Sequence, residues 1–316
     1  MSDSSPVASI SEMEGSLDLP DGLTARPPVA DDAPGVYELY ATCEALVQDV
    51  VDIQLEDIVA DWRRPSFDLH ADAILVLGGG RIVAEAEVFK GRRAEVAVHP
   101  DVRGRGVGTA LLEWTRRRAL QVGSPIVGQT TPDADEAARD LLRAKGYDPM
   151  WSSWVLSTAI DEPPDPPHLP DGYEFRPFSL GRDDREVYEV VERAFGEWPD
   201  REPYAYEDWR ALTVETASFD PTLQLVIAHA GEIVGTANTT DPGPPSEGWV
   251  HQLAVAREHR GLGLGRALLQ GAFAIFHARG KTSVGLSTDS RTGALGLYQR
   301  VGMRVVRSYT HHAKRL

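Results

Sequence analysis

The chain has 316 residues, 42% hydrophobic and 25% charged, an ordinary globular composition at a length that suits two domains. With 48 acidic and 32 basic residues, its formal net charge is −16. That balance argues against nucleic acid or an anionic membrane as partner and suits a cationic substrate such as an amine. The single cysteine, Cys43, excludes an internal disulfide and a Cys-rich zinc site, and no metal is expected.

The first residues are rich in Ser and Glu and read as a disordered tail over 1–17. They lack the basic start and apolar core of a signal peptide, and no run reaches the ~20 apolar residues that span a bilayer. A cytoplasmic location is expected. Leu19-Pro20-Asp21-Gly22 then leads to a strand ending at Arg26-Pro27, and a helix follows over Pro34–Val47. Its early proline is tolerated because the first helical turn has no use for the missing N–H. A hairpin is expected from Ala73–Leu77 and Ile82–Val88 around three glycines. Next come a short strand at Val96-Ala97-Val98, a helix over Gly108–Leu120, a strand over Pro125–Gln129, a helix over Asp135–Ala144 and a closing strand over Met150–Ser157. The segment Asp161–His168 holds four prolines and reads as a semi-rigid spacer.

The series then repeats. Leu169-Pro170-Asp171-Gly172 precedes Arg176-Pro177 with the spacing of the first copy, 150 positions on. Helices over Asp184–Ala194 and Tyr206–Val214 follow. A hairpin over Leu223–Ala228 and Ile233–Thr239, a strand through Leu253-Ala254-Val255, a helix over Gly265–Ala278, a strand over Thr282–Ser287, a helix over Thr292–Val301 and a strand over Arg304–His311 complete it. Two repeated marks in the same order indicate a duplicated α/β unit with a mixed sheet. The expected domains are 18–158 and 171–316, joined by a linker over 159–170.

Each half carries a glycine loop between its short strand and the following helix. The first is Arg103-Gly104-Arg105-Gly106-Val107-Gly108-Thr109, and the second is Arg260-Gly261-Leu262-Gly263-Leu264-Gly265-Arg266. A glycine turn opening a helix aims free N–H groups and the positive end of the helix dipole at one spot, where an anion is favoured. Neither loop has the Gly-Lys-Ser/Thr of a P-loop, and the third glycine is wrongly spaced for a dinucleotide fingerprint.

At these residues the chain resembles the GNAT superfamily of acetyl-CoA-dependent N-acetyltransferases, whose Arg/Gln-x-x-Gly-x-Gly/Ala motif is matched by Arg103, Gly106 and Gly108 and by Arg260, Gly263 and Gly265. The resemblance covers nearly the whole chain and implies two tandem GNAT domains. It makes both loops, with Val96–Val98 and Leu253–Val255, candidate sites for acetyl-CoA, the co-substrate. It further implies direct attack of an amine on the thioester, with a backbone N–H near Leu253 holding the oxyanion. The segment Thr292-Gly293-Ala294-Leu295-Gly296-Leu297-Tyr298 is similar to the family signature in which the tyrosine protonates the departing thiolate. Ser290 stands at the neighbouring cofactor contact, where the family often has asparagine.

Aligned on Gly146 and Gly302, Tyr298 falls on Leu142, which cannot donate a proton. Catalysis is therefore expected in the C-terminal half, with the N-terminal half a degenerate relative that either binds acetyl-CoA in a structural or regulatory role or binds nothing. The usual Glu base falls on Trp249, which leaves His251, two residues on, and Glu247 as candidate bases. The stretch Phe195–Trp209 mixes carboxylates with aromatic rings. It reads either as a cage for the amine or as an acidic loop with its rings turned into the core. Expected acceptors are small-molecule amines, such as a cysteinyl pseudodisaccharide or an aminoglycoside, with a protein N-terminus as the alternative. A monomer or homodimer is expected. The reading of another class is a non-catalytic acetyl-CoA-binding module.

Overall fold

The computed structural model describes residues 17–198, 201–241 and 247–316. The expected disordered tail therefore lies outside the described residues, except for Leu17. The chain divides into two compact units. One runs to Met150 and also contains Tyr309–Leu316, and the other is Trp151–Ser308.

The first unit contains β1 (Leu23–Arg26), α1 (Ala33–Gln48), α2 (Leu55–Trp62), the single turn α3 (Leu69–Asp72), β2 (Ala73–Gly78), β3 (Arg81–Phe89), β4 (Arg93–Val98), α4 (Val107–Gln121), β5 (Ile126–Pro132) and α5 (Glu136–Ala144). After β6 (Asp148–Ala159), the second unit repeats the order with β7 (Tyr173–Pro177), α6 (Asp184–Phe195), α7 (Tyr206–Thr213), β8 (Gln224–His229), β9 (Glu232–Thr240), β10 (Glu247–Val255), α8 (Leu264–Ala278), β11 (Ser283–Asp289), α9 (Leu295–Arg300) and β12 (Arg304–Arg315).

The first unit orders its strands β1-β2-β3-β4-β5, and the end of β12 closes it by pairing antiparallel with β5, Tyr309 to Pro132 through Arg315 to Ile126. The second orders β7-β8-β9-β10-β11, closed by β6 from Ser153 to Ala159. Each sheet thus takes its last strand from the other half of the sequence. Contiguous halves at 18–158 and 171–316 do not describe this exchange. Alternating apolar residues specify a strand and its buried face but not its partner.

In the second unit, one sheet face carries α8, whose Leu264, Ala267, Leu268, Ala272, Phe273 and Phe276 are buried at helical spacing. The opposite face carries α6 and α7 through Val187, Val190, Val191 and Trp209. The first unit repeats the two layers with α4 on one face and α1 and α2 on the other. The repeated Arg-Pro marks have a common task. Arg26 forks onto Asp32 at 2.6 and 2.7 Å, and Arg176 onto Asp183 at 2.7 and 3.0 Å. Each pair ties the end of a first strand to the start of the next helix.

Candidate active site

In the second unit, β10 runs parallel to β11 only from Glu247–Val250 opposite Ser283–Leu286. Beyond that point β10 stays paired with β9 to Val255, while β11 stays paired with β6 to Asp289. The two strands therefore part, leaving an open edge along Gln252–Val255. The Ala256 N–H donates to the Val234 carbonyl at 2.9 Å. Because strand groups alternate in direction, the backbone groups of Leu253 and Val255 face the open edge. That edge offers a place for an extended ligand to pair like an added strand.

A bulge interrupts the β9–β10 register between Val250 and Gln252, at His251. The matching β3–β4 pairing in the first unit has no such irregularity. The bulge places His251 and Gln252 on one face, because Val250 before it and Leu253 after it both face α8. In the sequence, the two adjacent polar residues His251 and Gln252 break the strand alternation and signal this bulge. His251 Nε2 lies 2.8 Å from Thr240 Oγ1. Its ring reaches solvent, yet surrounding protein excludes enough water to push the imidazole pKa down to about 4. The ring is therefore neutral at physiological pH.

The glycine loop follows. Gly261 and Gly263 adopt φ of 78° and 87°, a region that favours glycine. Gly263 caps α8 without any side-chain cap, and the first backbone bond of the helix runs from Ala267 N to Gly263 O at 3.0 Å. The N–H groups of Leu264, Gly265 and Arg266 thus have no intrahelical acceptor and lie at the positive end of a 15-residue helix. A Cβ on Gly265 would meet Leu297 at 3.3 Å and Leu253 at 3.8 Å. The open strand, the loop and α9, which carries Tyr298, therefore converge at Gly265.

The first unit reproduces this loop. Gly106 caps α4 without a side-chain cap, Ala110 N donates to Gly106 O at 3.0 Å, and a Cβ on Gly108 would meet Leu141 at 3.0 Å. In both units the motif arginine is partly committed to the protein. Arg103 Nε donates to Val98 O and Arg260 Nε to Val255 O, each at 3.0 Å. Arg260 also pairs with Glu197 at 2.8 Å, and Arg103 with Asp135 at 3.5 Å. These arginines brace the end of the parting strand as well as carrying charge.

Residues 185–303 match the Acetyltransferase (GNAT) family, and residues 70–149 match an Acetyltransferase (GNAT) domain. A mycothiol acetyltransferase of Catenulispora acidiphila is 31% identical over 72% of this chain and 73% of its own length. The chain belongs to the GNAT acetyltransferase family. A GCN5-related N-acetyltransferase from Sphaerobacter thermophilus, known from its crystal structure, is 35% identical. It superposes with a TM-score of 0.75 over 94% of this chain and 96% of its own. A tandem GNAT protein from the clavulanic acid biosynthesis pathway shares the fold at 18% identity, with a TM-score of 0.72 over 93% of this chain and 98% of that one. The chain is accordingly a tandem GNAT acyltransferase, and acetyl-CoA is the family's acetyl donor.

The two GNAT units differ at the expected acid. Tyr298 is buried, and the loss of hydration pushes its phenol up to about 12, so it is protonated at neutral pH. Its hydroxyl makes no hydrogen bond among the described residues. Leu142, fully buried, holds the equivalent place. The Tyr298 carbonyl accepts from Met303 N at 3.1 Å, and the Leu142 carbonyl from Tyr147 N at 3.0 Å.

Other expected site residues are placed differently. Glu247 is the first residue of β10, four positions from His251 or about 13 Å along an extended strand. It accepts from Ser157 Oγ at 2.5 Å and lies where β10 and β11 are still paired. The Ser290 N–H is committed to the Ser152 carbonyl at 2.9 Å, while Arg291 pairs with Asp289 and lies 3.8 Å over the Trp151 ring.

The stretch Phe195–Trp209, of which 199–200 lie outside the described residues, does not form an open cage. Arg201 pairs bidentately with Glu192 at 2.8 and 2.5 Å, Phe195 stacks on Trp198, and Trp209 is buried in the core. The protein's own arginines pair with Glu192 and Glu197 and lie over the rings of Phe195, Tyr204 and Tyr206. Trp209 instead donates to Gln252 Oε1 at 3.0 Å, and Asn238 donates to the same oxygen at 2.7 Å.

Proposed function

We propose that the C-terminal GNAT unit transfers acetyl from acetyl-CoA to the primary amine of a small molecule by direct attack. The observation that carries the assignment to this unit is the β10 bulge at His251, which the matched strand β4 lacks. The N–H groups opening α8 receive the diphosphate of the cofactor, and the pantetheine arm lies along Leu253 and Val255. The amine nitrogen attacks the thioester carbon, and the Leu253 N–H stabilises the oxyanion. The C–S bond then breaks. Tyr298 gives its proton to the departing sulfur, and the phenol regains one from solvent. The proton shed by the attacking nitrogen passes to neutral His251, directly or through water, and then to solvent. Glu247 is less suited as base because it sits at the far end of the strand, bound to Ser157.

The relatives named mycothiol acetyltransferases, about 30% identical, support a small-molecule amine of the kind those enzymes acetylate. The N-terminal unit keeps the phosphate loop and lacks the acid, which supports binding without turnover there. Release of CoA thiol against a panel of a cysteinyl aminosugar, an aminoglycoside and a peptide with a free N-terminus tests the reading. Thiol release with the aminosugar is expected. Acetyl-CoA binding with no turnover on any amine would leave the non-catalytic module as the answer.

A further inference from the structure

The N-terminal unit carries a row of carboxylates that no acetyl-transfer step uses. Glu85 and Glu87 alternate on one face of β3, and Glu87 stands directly opposite Glu95 on β4. Like charges directly opposed on paired strands destabilise a sheet, and their neighbours along β3 lie about 7 Å apart. Glu85 is 1% exposed, Glu87 8%, and the Glu95 side chain 39%, so the row runs from the core outward to solvent. Glu85 Oε2 accepts from Tyr40 at 2.7 Å, while its Oε1 is buried with no partner. Glu87 makes no hydrogen bond among the described residues.

The nearby cations pair only with the outer end of this row. Arg93 pairs with Glu95 at 2.9 Å. Arg64 donates to the Asp61 carbonyl, pairs with its carboxylate at 3.4 Å and lies 3.8 Å over the Phe89 ring. Neither Glu85 nor Glu87 forms an ion pair among the described residues, and Arg64 and Arg93 act on Glu87 only from farther off. A buried carboxylate with neither a charge partner nor a full set of hydrogen bonds is costly in its ionised form.

The second unit shows what the same framework looks like without this demand. By strand register, Thr236, Asn238 and Gln252 hold the positions of Glu85, Glu87 and Glu95. These neutral groups bond to one another, Thr236 to Asn238 at 3.3 Å and Asn238 to Gln252 at 2.7 Å. At all three positions a neutral, self-satisfied group in one unit is a carboxylate in the other.

We propose that the N-terminal unit is a cation site that takes the ammonium group of an organic amine against Glu85 and Glu87, entering past Glu95. An ammonium donates three hydrogen bonds and carries one positive charge. It supplies a donor to the free Glu85 oxygen and takes the place of the proton that buried Glu87 otherwise keeps near neutral pH. Among the described residues, no acidic or histidine side chains form a metal-binding group, so hydrogen-bonded recognition suits the row better than metal coordination. The site does not depend on acetyl transfer, and binding to it is read without turnover.

The test is calorimetric unfolding of the full chain at about pH 9, where Glu87 is ionised, and at matched ionic strength in methylammonium, tetramethylammonium or potassium chloride. Methylammonium should raise Tm by about 3 °C at roughly ten times its Kd. The other two should not, since neither donates a hydrogen bond. Two variants complete it: E85T/E87N/E95Q, which copies the second unit, and Glu87→Gln, which keeps the shape. Both should lose the methylammonium increment while unfolding at the wild-type temperature or above. Equal responses to the three salts, or an undiminished increment in either folded variant, would overturn the proposal.

Discussion

Replacing Tyr298 with phenylalanine separates chemistry from packing. The ring is buried and its hydroxyl has no hydrogen-bond partner among the described residues, so Phe keeps the apolar contacts and orphans nothing. The hydroxyl is not among the buried polar atoms left without a partner, so its removal relieves no desolvation cost and should leave stability within about 0.5 kcal/mol of wild type. A change of that size moves Tm by no more than about 2 °C in a unit of this size. Catalysis should respond far more. Loss of a general acid costs roughly 10²- to 10⁴-fold in rate, about 3–5 kcal/mol of barrier. The assay is CoA thiol release at saturating acetyl-CoA, paired with a melting curve. Leu142→Ala should show the mirror pattern, with about 2–5 kcal/mol of stability lost to a cavity and a turnover number close to wild type. A kcat for Tyr298→Phe within threefold of wild type would refute the acid role. Equal kinetic effects at Tyr298 and Leu142 would refute the assignment of catalysis to the C-terminal unit.

Gly263→Ala should cost about 1 kcal/mol or more, because φ is 87° there, and should raise KM for acetyl-CoA with little change in kcat, read by initial rates. Gly265→Val should push Leu297 away and carry α9 with it. Here kcat should fall alongside the KM rise, and an unchanged kcat would count against the convergence at that glycine. The downward shift at His251 predicts activity that is flat in this group above about pH 5 and lost toward pH 4 as the ring protonates. Its folded pKa lies below the unfolded value, so the same protonation erodes stability as pH falls from about 6.5 toward 4. A His251→Gln profile that keeps the acid limb would assign that limb elsewhere. Glu87 runs the other way. Burial, then Glu95, raises its carboxyl pKa to about 8. The folded state therefore holds a proton the unfolded state has lost, and stability should rise as pH falls from about 8 toward 4.5, by at most about 1.4 kcal/mol per pH unit. Glu87→Gln should flatten that slope in pH-dependent unfolding.

The duplication, the order of elements, both glycine loops and the Tyr298–Leu142 difference were legible in the chain alone. They rest on local chemistry: hydrophobic period, positive-φ glycines, helix starts and one residue type at an aligned position. The alternating Glu85 and Glu87 inside an otherwise apolar strand were a signal passed over. Only the tertiary structure decided which strand closes each sheet, because Met150–Ser157 and Arg304–His311 have the same pattern and pattern carries no partner. It also decided that β10 bulges at His251 and parts from β11. Likewise, it showed that Glu192 and Glu197, beside the aromatic rings, already hold the protein's own arginines. Each of those outcomes depends on what lies across a sheet or under a helix, at sequence separations where local pattern carries no information.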